Sequence, residues 1–464
     1  MQENKALFST MPIPRALAKL AIPTIISQLI TMIYNLADTF FIGQTDNPAM
    51  VAAASQAFVL FFVINALANL FGVGGGSLIS RLMGRGEEHD AKSVCSFSFW
   101  GTVIVSIVYS LCAFFFMDPM LRLVGADGAS LEYARDYTMW VVVIGAVPTT
   151  LAVMMSHLLR SEGYASHASL GLGIGGVLNI ILDPIFMFVI LEPGQEVLGA
   201  GIATMLSNVV TLIYFCVVFF VLRKRALISV SLRDAADGVR YAAEVLKVGF
   251  PSALGTMLAC VSNLCINNLV SSYRDYYGGD YAMAAVGIVK KIDMLPLNVG
   301  MGLCQGMMPL VAFNYASGDY KRMRETTFCA RIAGMGFALL CILTFEIFPV
   351  SIVQIFIKDA LTVELGSEFL KIMCLATPLM VANIQYSYTF QAMGRGTESL
   401  LLSASRQGLV NIPLLFILNH FFGIHGVLWT QIIADIITFV VSFFMFRHFN
   451  KQLHNKAAKV AIPE

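Results

Sequence analysis

Long apolar runs separated by short polar connections repeat along the whole chain. The runs hold about twenty or more residues, the length at which an α-helix crosses a bilayer. We predict twelve spans, at residues 16–43, 52–80, 93–117, 136–158, 167–191, 197–222, 245–272, 282–313, 325–350, 370–393, 402–422 and 425–446. The short alternating segments typical of a β-barrel are not found in the sequence. The pattern therefore predicts an all-α polytopic membrane protein.

Basic residues divide unevenly between the two sets of connections. One set comprises the two tails and residues 81–92, 159–166, 223–243, 318–331 and 394–406, and it holds most of the Lys and Arg side chains. The opposite set has few: Arg122, Arg135, Arg274, Lys358 and Lys371. Connections rich in Lys and Arg remain in the cytoplasm. We therefore expect both termini to be cytoplasmic and the protein to lie in the plasma membrane.

Composition narrows the class further. The chain has 464 residues, of which 57% are hydrophobic and 13% charged, and its mean hydropathy is +0.75. Soluble domains carry about 25% charged residues. The net charge of +1 gives no sign of a nucleic-acid partner. The nine cysteines are scattered and form no Cys-x-x-Cys pair, so neither a metal knuckle nor a disulfide framework is indicated.

The two halves of the chain resemble one another. Three pairs share nearly the same offset: Pro23 and Pro251 (228 residues), the Gly-x-x-x-Gly motifs at Gly72 and Gly302 (230), and Gly199 and Gly426 (227). Each half has six predicted spans, an even number, so the repeats are parallel and related by a pseudo-two-fold axis along the membrane normal. We expect an N-lobe at 1–228 and a C-lobe at 229–464, with substrate binding between them.

Two carboxylates stand out because they interrupt apolar runs. Asp38 lies in the stretch 34–43, and Asp183 lies in the string Asn-Ile-Ile-Leu-Asp-Pro. A carboxylate at the centre of a spanning helix costs about 2.5–3.5 kcal/mol, which favours a functional role. With the N-terminus inside, Asp38, Asp183 and Thr204 fall at similar depths in the outer half of the first lobe.

The neighbours of these acids are polar. Tyr34 and Asp38 are spaced i,i+4, as are Asn179 and Asp183, so each acid has a polar residue on its helix face. Pro184 lacks an N–H, which frees the carbonyl of Ile180. We predict that Asp38, Asp183, Asn179, Tyr34 and Thr204 form a site for a proton or a small hard cation such as Na⁺, with no other metal. The alternative is a hydrogen-bonded structural cluster.

Other polar residues inside the spans are candidates for a substrate cavity. They are Asn35, His157, Asn263, Asn267, Asp293, Gln305 and Gln385. Asp293 and Lys290 are spaced i,i+3 and would neutralise one another in the alternative interpretation. His157 has the alternative of a packed polar residue near the inner membrane surface. The run 171–176 fits G-x-G-x-x-G but follows no strand, so close helix packing explains its glycines better.

At these residues the chain resembles the multidrug and toxic compound extrusion (MATE) family, particularly its MepA-like and DinF-like bacterial branch. The resemblance covers essentially the whole chain and rests on four motifs, at residues 34–43, 70–84, 179–184 and 306–315. It implies a twelve-helix exporter with two six-helix lobes and alternating access. Inward flow of H⁺ or Na⁺ would drive expulsion of bulky, often cationic compounds. It also implies a first-lobe cation site at positions matching Tyr34, Asp38, Asn179, Asp183 and Thr204.

We therefore expect a multidrug antiporter that is not an enzyme, needs no cofactor, contacts membrane lipid and acts as a monomer. Another branch of the family uses carboxylates on the seventh and tenth helices, and this sequence has none within either span. One alternative is a flippase for lipid-linked saccharides, which would favour a strongly basic cavity. A second is an intramembrane enzyme, for which His157 is the only clear candidate residue.

Overall fold

The computed structural model describes residues 2–45, 47–276 and 279–460, and this part of the chain is helical with no strand. Eight spans are single helical stretches: span 1 is Ile13–Gly43, span 2 Pro48–Arg85, span 3 Glu88–Phe115, span 5 Ala165–Ile190, span 6 Glu196–Leu222, span 7 Ala242–Ser271, span 8 Tyr281–Ala316 and span 9 Tyr320–Ile347. Two spans are bent pairs: span 4 is Gly128–Ile144 with Ala146–Ser161, and span 10 is Ala360–Cys374 with Thr377–Ala392.

The stretch Gly396–Leu453 contains the last two spans. It turns back at Gly423, whose φ of 60° is a left-handed conformation that suits glycine. Asn411 Nδ2 donates to Gln431 Oε1 at 2.9 Å, although residues this far apart in a straight helix would be separated by about 30 Å. Span 11 therefore precedes Gly423 and span 12 follows it. The prediction of twelve spans is confirmed for the described residues.

Both bent spans are longer than their apolar runs predict. The first residues of these spans, 128–135 and 360–369, include polar side chains. A search of the sequence for long apolar runs therefore leaves them out. Arg135, at such an end, forms an ion pair with Asp118. The predicted connections 318–331 and 394–406 are in turn largely helical, since span 9 begins at Tyr320 and span 11 at Gly396.

The order of elements is the same in both halves. A short helix precedes each set of six spans (Gln2–Ser9 and Leu232–Gly238), and another joins the third and fourth spans of each set (Met117–Leu123 and Pro349–Gln354). The fourth span of each set is the bent one, by 51° and 45°. Repeated order and repeated bends support an internal duplication that gives two six-helix lobes.

Buried apolar side chains show where the lobes touch. We call the side of the two termini the terminal side and the opposite side the distal side. The largest buried cluster joins residues of both lobes from the terminal halves of the spans, for example Leu20, Leu78, Val245 and Met307. The clusters of the distal halves each belong to one lobe. The lobes are therefore packed together on the terminal side and separate on the distal side.

Glycines make this inter-lobe seam possible. Span 7 packs on span 2 so closely that a Cβ on Gly249 would lie 1.7 Å from the carbonyl oxygen of Leu70. Span 8 packs on span 1, where a Cβ on Gly306 would lie 2.5 Å from the Cα of Ala21. Ser77 Oγ closes the same seam by donating to the Gln391 carbonyl at 2.6 Å. Both Gly-x-x-x-Gly motifs are thus packing motifs, as in other membrane helices.

The N-terminal helix Gln2–Ser9 covers the terminal face. Phe8 is fully buried and stacks on Phe313 of the second lobe, with ring centroids 5.2 Å apart. Arg322 Nε donates to the Phe8 carbonyl at 2.8 Å. Gly163, in the first lobe, lies against the same short helix. This helix therefore contacts both lobes across the seam.

A buried carboxylate fixes the linker between the lobes. Glu162 follows span 4, and its Oε2 accepts from the backbone N–H of Leu227 at 2.7 Å. Ala226, Leu227 and Ile228 are buried beside it. Burial raises the pKa of the Glu162 carboxyl from its ordinary value of 4.5 to about 7, although the Leu227 hydrogen bond opposes this rise.

Gly249→Ala is expected to hold the seam open on the terminal side, because its methyl group would overlap the Leu70 carbonyl. The measurement is thiol labelling of a cysteine placed at the buried seam residue Ser77, in a background without native cysteines. Labelling should increase severalfold. Gly287→Ala is the matched control, since nothing lies within 4 Å of a Cβ there. Equal labelling of both variants would contradict the role of Gly249.

Glu162→Gln is expected to change how stability depends on pH. The folded-state pKa of Glu162 is raised, so the folded protein binds more protons than the unfolded chain between about pH 4.5 and 7. Its contribution to stability is therefore lost as pH rises through that window. The variant should melt at a higher temperature than wild type at pH 8 and at nearly the same temperature at pH 4. A constant difference across pH, or none, would refute this; Glu132→Gln, at an exposed carboxylate, is the control.

Candidate cation site and inter-lobe cleft

The glycine run 171–176 packs span 5 against spans 1 and 6. A Cβ on Gly176 would lie 2.8 Å from Ile30 and 3.2 Å from the ring of Tyr34, both on span 1. A Cβ on Gly175 would lie 2.1 Å from Thr211 Oγ1 of span 6. The run is thus a packing surface, as expected, and it brings the polar residues of spans 1, 5 and 6 to one place.

Asp183 and its neighbours form a hydrogen-bonded group in the distal half of the first lobe. Asn179 Nδ2 donates to Asp183 Oδ1 at 3.0 Å and to Thr204 Oγ1 at 3.3 Å. Asp183 is completely buried, and Asn179 is 3% exposed. Asn179 therefore links the carboxylate of Asp183, on the same helix, to the hydroxyl of Thr204 on span 6.

Three buried oxygens of this group have no hydrogen-bond partner among the described residues. They are Asp38 Oδ1, Asn179 Oδ1 and Asp183 Oδ2. Asp38 lies close enough to Asp183 for the two charges to interact. A buried polar atom without a partner costs about 1–3 kcal/mol, and two nearby carboxylates also repel when both are ionised. A proton or a small hard cation satisfies both requirements, so the residues present fit such an ion.

Two tyrosines complete the group. Tyr34 of span 1 lies near both carboxylates. Tyr137 of span 4 also lies near both carboxylates and near Thr204, with 4% of its surface exposed. Tyr137 was not among the residues predicted from sequence, because a tyrosine among apolar residues is usually part of the core. The predicted start of span 4 at residue 136 placed it at the edge of the membrane, and only the longer helix of the structure brings it to the depth of Thr204.

The second lobe repeats this helix packing but has no carboxylate at the position that corresponds to Asp183. Gly408 packs against Leu258 of span 7 as Gly176 packs against Ile30 of span 1. The string Asn411-Ile-Pro-Leu follows Gly408 as Asn179-Ile-Ile-Leu follows Gly176, at an offset of 232 residues. At that offset the position of Asp183 is taken by Leu415, which is fully buried. The carboxylate of the first-lobe group thus has an apolar counterpart.

The predicted cavity residues do not form one surface. Asn35 is half-buried on span 1, and Asn263 and Asn267 are exposed on span 7. His157 and Gln305 line a small cavity in the seam. Gln385 lies instead inside the second lobe, where it donates to the Thr327 carbonyl at 2.7 Å and ties span 10 to span 9.

The predicted pairing of Lys290 with Asp293 is not formed. Lys290 Nζ donates to Asn267 Oδ1 at 2.9 Å. Asp293 lies half-buried on span 8 and makes no ion pair within the described part of the chain. It faces the charges of Arg406 and Asp435.

Arg406 was counted from sequence both in the connection 394–406 and in the predicted span 402–422, and it lies inside span 11, in the π-helical turn Ser405–Leu409. Its Nε donates to Asp435 Oδ1 at 2.7 Å, and Asp435 is fully buried. Asn383 and Gln431 also donate to the Asp435 carboxylate, at 3.1 and 2.9 Å. Asp435 is thus half of a buried ion pair. Breaking such a pair typically costs 3–5 kcal/mol, so its first role is structural.

Comparison with known proteins identifies the family. The sequence profile of the MatE family matches the chain twice, over residues 23–185 and 251–417. The chain belongs to the MATE family. The two matches begin 228 residues apart and end 232 apart, which are the offsets seen in the repeated motifs and in the repeated packing.

Individual MATE relatives match along nearly their whole lengths. Multidrug export protein MepA of Staphylococcus haemolyticus (strain JCSC1435) is 30% identical over 463 residues, covering 99% of each chain. MepA of Staphylococcus saprophyticus (strain ATCC 15305) is 32% identical over 437 residues, covering 94% of each. A solved outward-facing multidrug resistance MATE family transporter of the MOP superfamily is 25% identical, with a TM-score of 0.89 over 98% of this chain and 99% of that chain.

Tyr137→Phe is expected to weaken ion binding at the candidate site, because the site loses a phenol hydroxyl that lies near Thr204 and both carboxylates. One hydrogen bond is worth about 1 kcal/mol, or about fivefold in affinity. The measurement is the Na⁺ concentration, or the pH, at half-maximal thermal stabilisation of the purified protein. Tyr133→Phe is the matched control, one turn earlier on the same helix and packed in the distal core. A fivefold effect at Tyr133 and none at Tyr137 would contradict the assignment.

Proposed function

We propose that this chain is a secondary active multidrug exporter that couples inward flow of H⁺ or Na⁺ to the expulsion of bulky, often cationic organic compounds. One observation carries the coupling: two carboxylates and an amide in one lobe present three buried oxygens without hydrogen-bond partners. Membership of the MATE family, and the multidrug export named in its MepA relatives, support the rest. In this proposal the first lobe comprises residues 1–228 and the second lobe residues 229–464. The short helix that precedes each set of six spans supports this boundary.

The coupling ion binds Asp38 and Asp183, with Asn179, Thr204 and Tyr34 completing the site. An ion between the two carboxylates removes their mutual repulsion and draws span 1 toward span 5. Span 1 also forms half of the seam, since Ala21 and Ile25 lie against Gly306 and Gly302 of span 8. A movement of span 1 at the site therefore changes the contact that holds the lobes together.

Substrate binds in the cleft between the lobes, where Asp293 receives its cationic group. Arg406 and Asp435 neutralise one another, and Lys290 is held by Asn267. Of the charged residues near Arg406, Asp293 is therefore the carboxylate that has no ion-pair partner in the described part of the chain. Asn35, Asn263 and Asn267 offer uncharged hydrogen-bonding groups on spans 1 and 7.

The terminal side faces the cytoplasm, which makes the present arrangement outward-open, and the protein works as a monomer in the plasma membrane. The uneven distribution of Lys and Arg supports this orientation. A saccharide flippase is disfavoured, because the spans carry the carboxylates of Asp293 and Asp435 as well as the cations Lys290 and Arg406, so the cleft is not strongly basic. An intramembrane enzyme is disfavoured because His157 packs against Gly72, and the relatives are named as export proteins.

Asp38→Asn and Asp183→Asn are each expected to abolish coupled export while leaving folded protein in the membrane, since an amide neither takes up a proton nor neutralises a cation. The measurement is efflux of an ethidium-type dye from reconstituted vesicles under separately imposed H⁺ and Na⁺ gradients. The gradient that drives wild-type export identifies the ion. Glu132→Gln, at an exposed carboxylate, should export normally. Near-normal export by both aspartate variants would defeat the site assignment.

A further inference from the structure

A small cavity lies in the seam, away from the candidate cation site. It measures about 20 Å³ and is lined by spans 2 and 4 of the first lobe and span 8 of the second. About 10–15 Å³ is enough for one water molecule, so the cavity admits one small species and excludes a drug or a lipid headgroup. Its polar lining residues are Ser77, Ser80, His157, Arg160, Ser161 and Gln305.

Arg160 gives this cavity a buried positive charge. It lies in the last turn of span 4 with 4% of its surface exposed. Its Nη1 donates to Ser156 Oγ at 3.1 Å, and its Nε has no hydrogen-bond partner in the described chain. No carboxylate lines the cavity. Glu162, two residues further on, is turned toward Leu227 instead.

Comparison with Arg81 shows how the surroundings of Arg160 differ from those of another buried arginine in this protein. Arg81 and Arg160 are the two arginines, among the described residues, that are more than nine-tenths buried. Arg81 lies 3.6 Å from the Glu244 carboxylate across the seam. Among the described residues, Arg160 has no such partner. Burying an uncompensated ion is unfavourable, and the interaction of a cation with a helix C-terminus offsets only a small part of that cost. A bound anion supplies the missing compensation.

Donors for an anion come from both lobes. His157 and Arg160 belong to span 4, and Gln305 belongs to span 8. Tyr388 of span 10 lies near Gln305 and within electrostatic range of Arg160. An anion at this point contacts both sides of the seam, so it stabilises the lobes in their packed arrangement and is released when they part.

We propose that this cavity binds one small monovalent inorganic anion, of which chloride is the abundant cellular example, and that the anion stabilises the closed terminal side. The proposal goes beyond the proposed function and does not depend on it. Loss of the cation site would leave it intact, and loss of the anion would leave Asp38 and Asp183 unchanged.

The test is the melting temperature of the purified full chain in mixtures of sodium chloride and sodium gluconate at constant Na⁺. Wild type should melt at a higher temperature as chloride rises, and the effect should saturate. Arg160→Gln should lose the chloride effect. Arg81→Gln, the matched control with a carboxylate partner, should keep it. A wild-type melting temperature that does not depend on chloride overturns the proposal.

A second variant keeps the test decisive if Arg160→Gln does not fold. Gln305→Glu places a carboxylate in the cavity, where it serves as a permanent counter-ion for Arg160. The variant should melt at a higher temperature than wild type in gluconate and show no response to chloride. Gln385→Glu, a buried change outside the cavity, should keep the chloride response. A full chloride response in Gln305→Glu overturns the proposal.

Discussion

Asp38 and Asp183 lie within electrostatic range of one another, each with a buried oxygen that has no hydrogen-bond partner among the described residues, and this proximity is the constraint on which the rest of the molecule depends. Two like charges withdrawn from solvent repel, and hydrogen bonds from Asn179 reach only one of the four carboxylate oxygens. The pocket therefore has lower free energy with an added positive charge than without one. An exporter driven by an ion gradient requires such a difference, because the free energy of ion entry must reach the protein at a defined place.

Span 1 connects that place to the lobe contacts. Its distal half carries Tyr34 and Asp38, and its terminal half, at Ala21 and Ile25, lies against two glycines of span 8. The contact there leaves no room for a Cβ, so any bend of span 1 changes it. Site and seam thus share one helix, which gives a direct physical route between ion binding and lobe separation.

The two lobes have one fold and different chemistry. Gly176 against Ile30 and Gly408 against Leu258 are the same packing contact, made once in each lobe. Beside it the first lobe has Asp183 and the second has Leu415. The second lobe instead carries the Arg406–Asp435 ion pair, which neutralises itself. The two lobes thus share their packing, and differences at a few positions confine the pair of neighbouring carboxylates, Asp38 and Asp183, to the first lobe.

The sequence by itself determined the class, the number of spans, the duplication and the identity of the unusual acids. These follow from run length, from composition and from motif offsets, which are local or periodic properties of the chain. It left Arg406 in both a connection and a span, because a basic residue near the end of an apolar run resembles part of a connection. It also overlooked Tyr137, because no local pattern distinguishes a site tyrosine from a core tyrosine.

Only the tertiary structure decided which polar residues meet. Gln385 and Asp293 look alike as polar residues inside spans, yet one ties two helices of a lobe together and the other is left without an ion-pair partner in its cluster. The isolation of Arg160 likewise appears only once three helices are packed around it. Such contacts depend on helix rotation and on the lobe arrangement, and these are set by close packing at glycines far away in sequence.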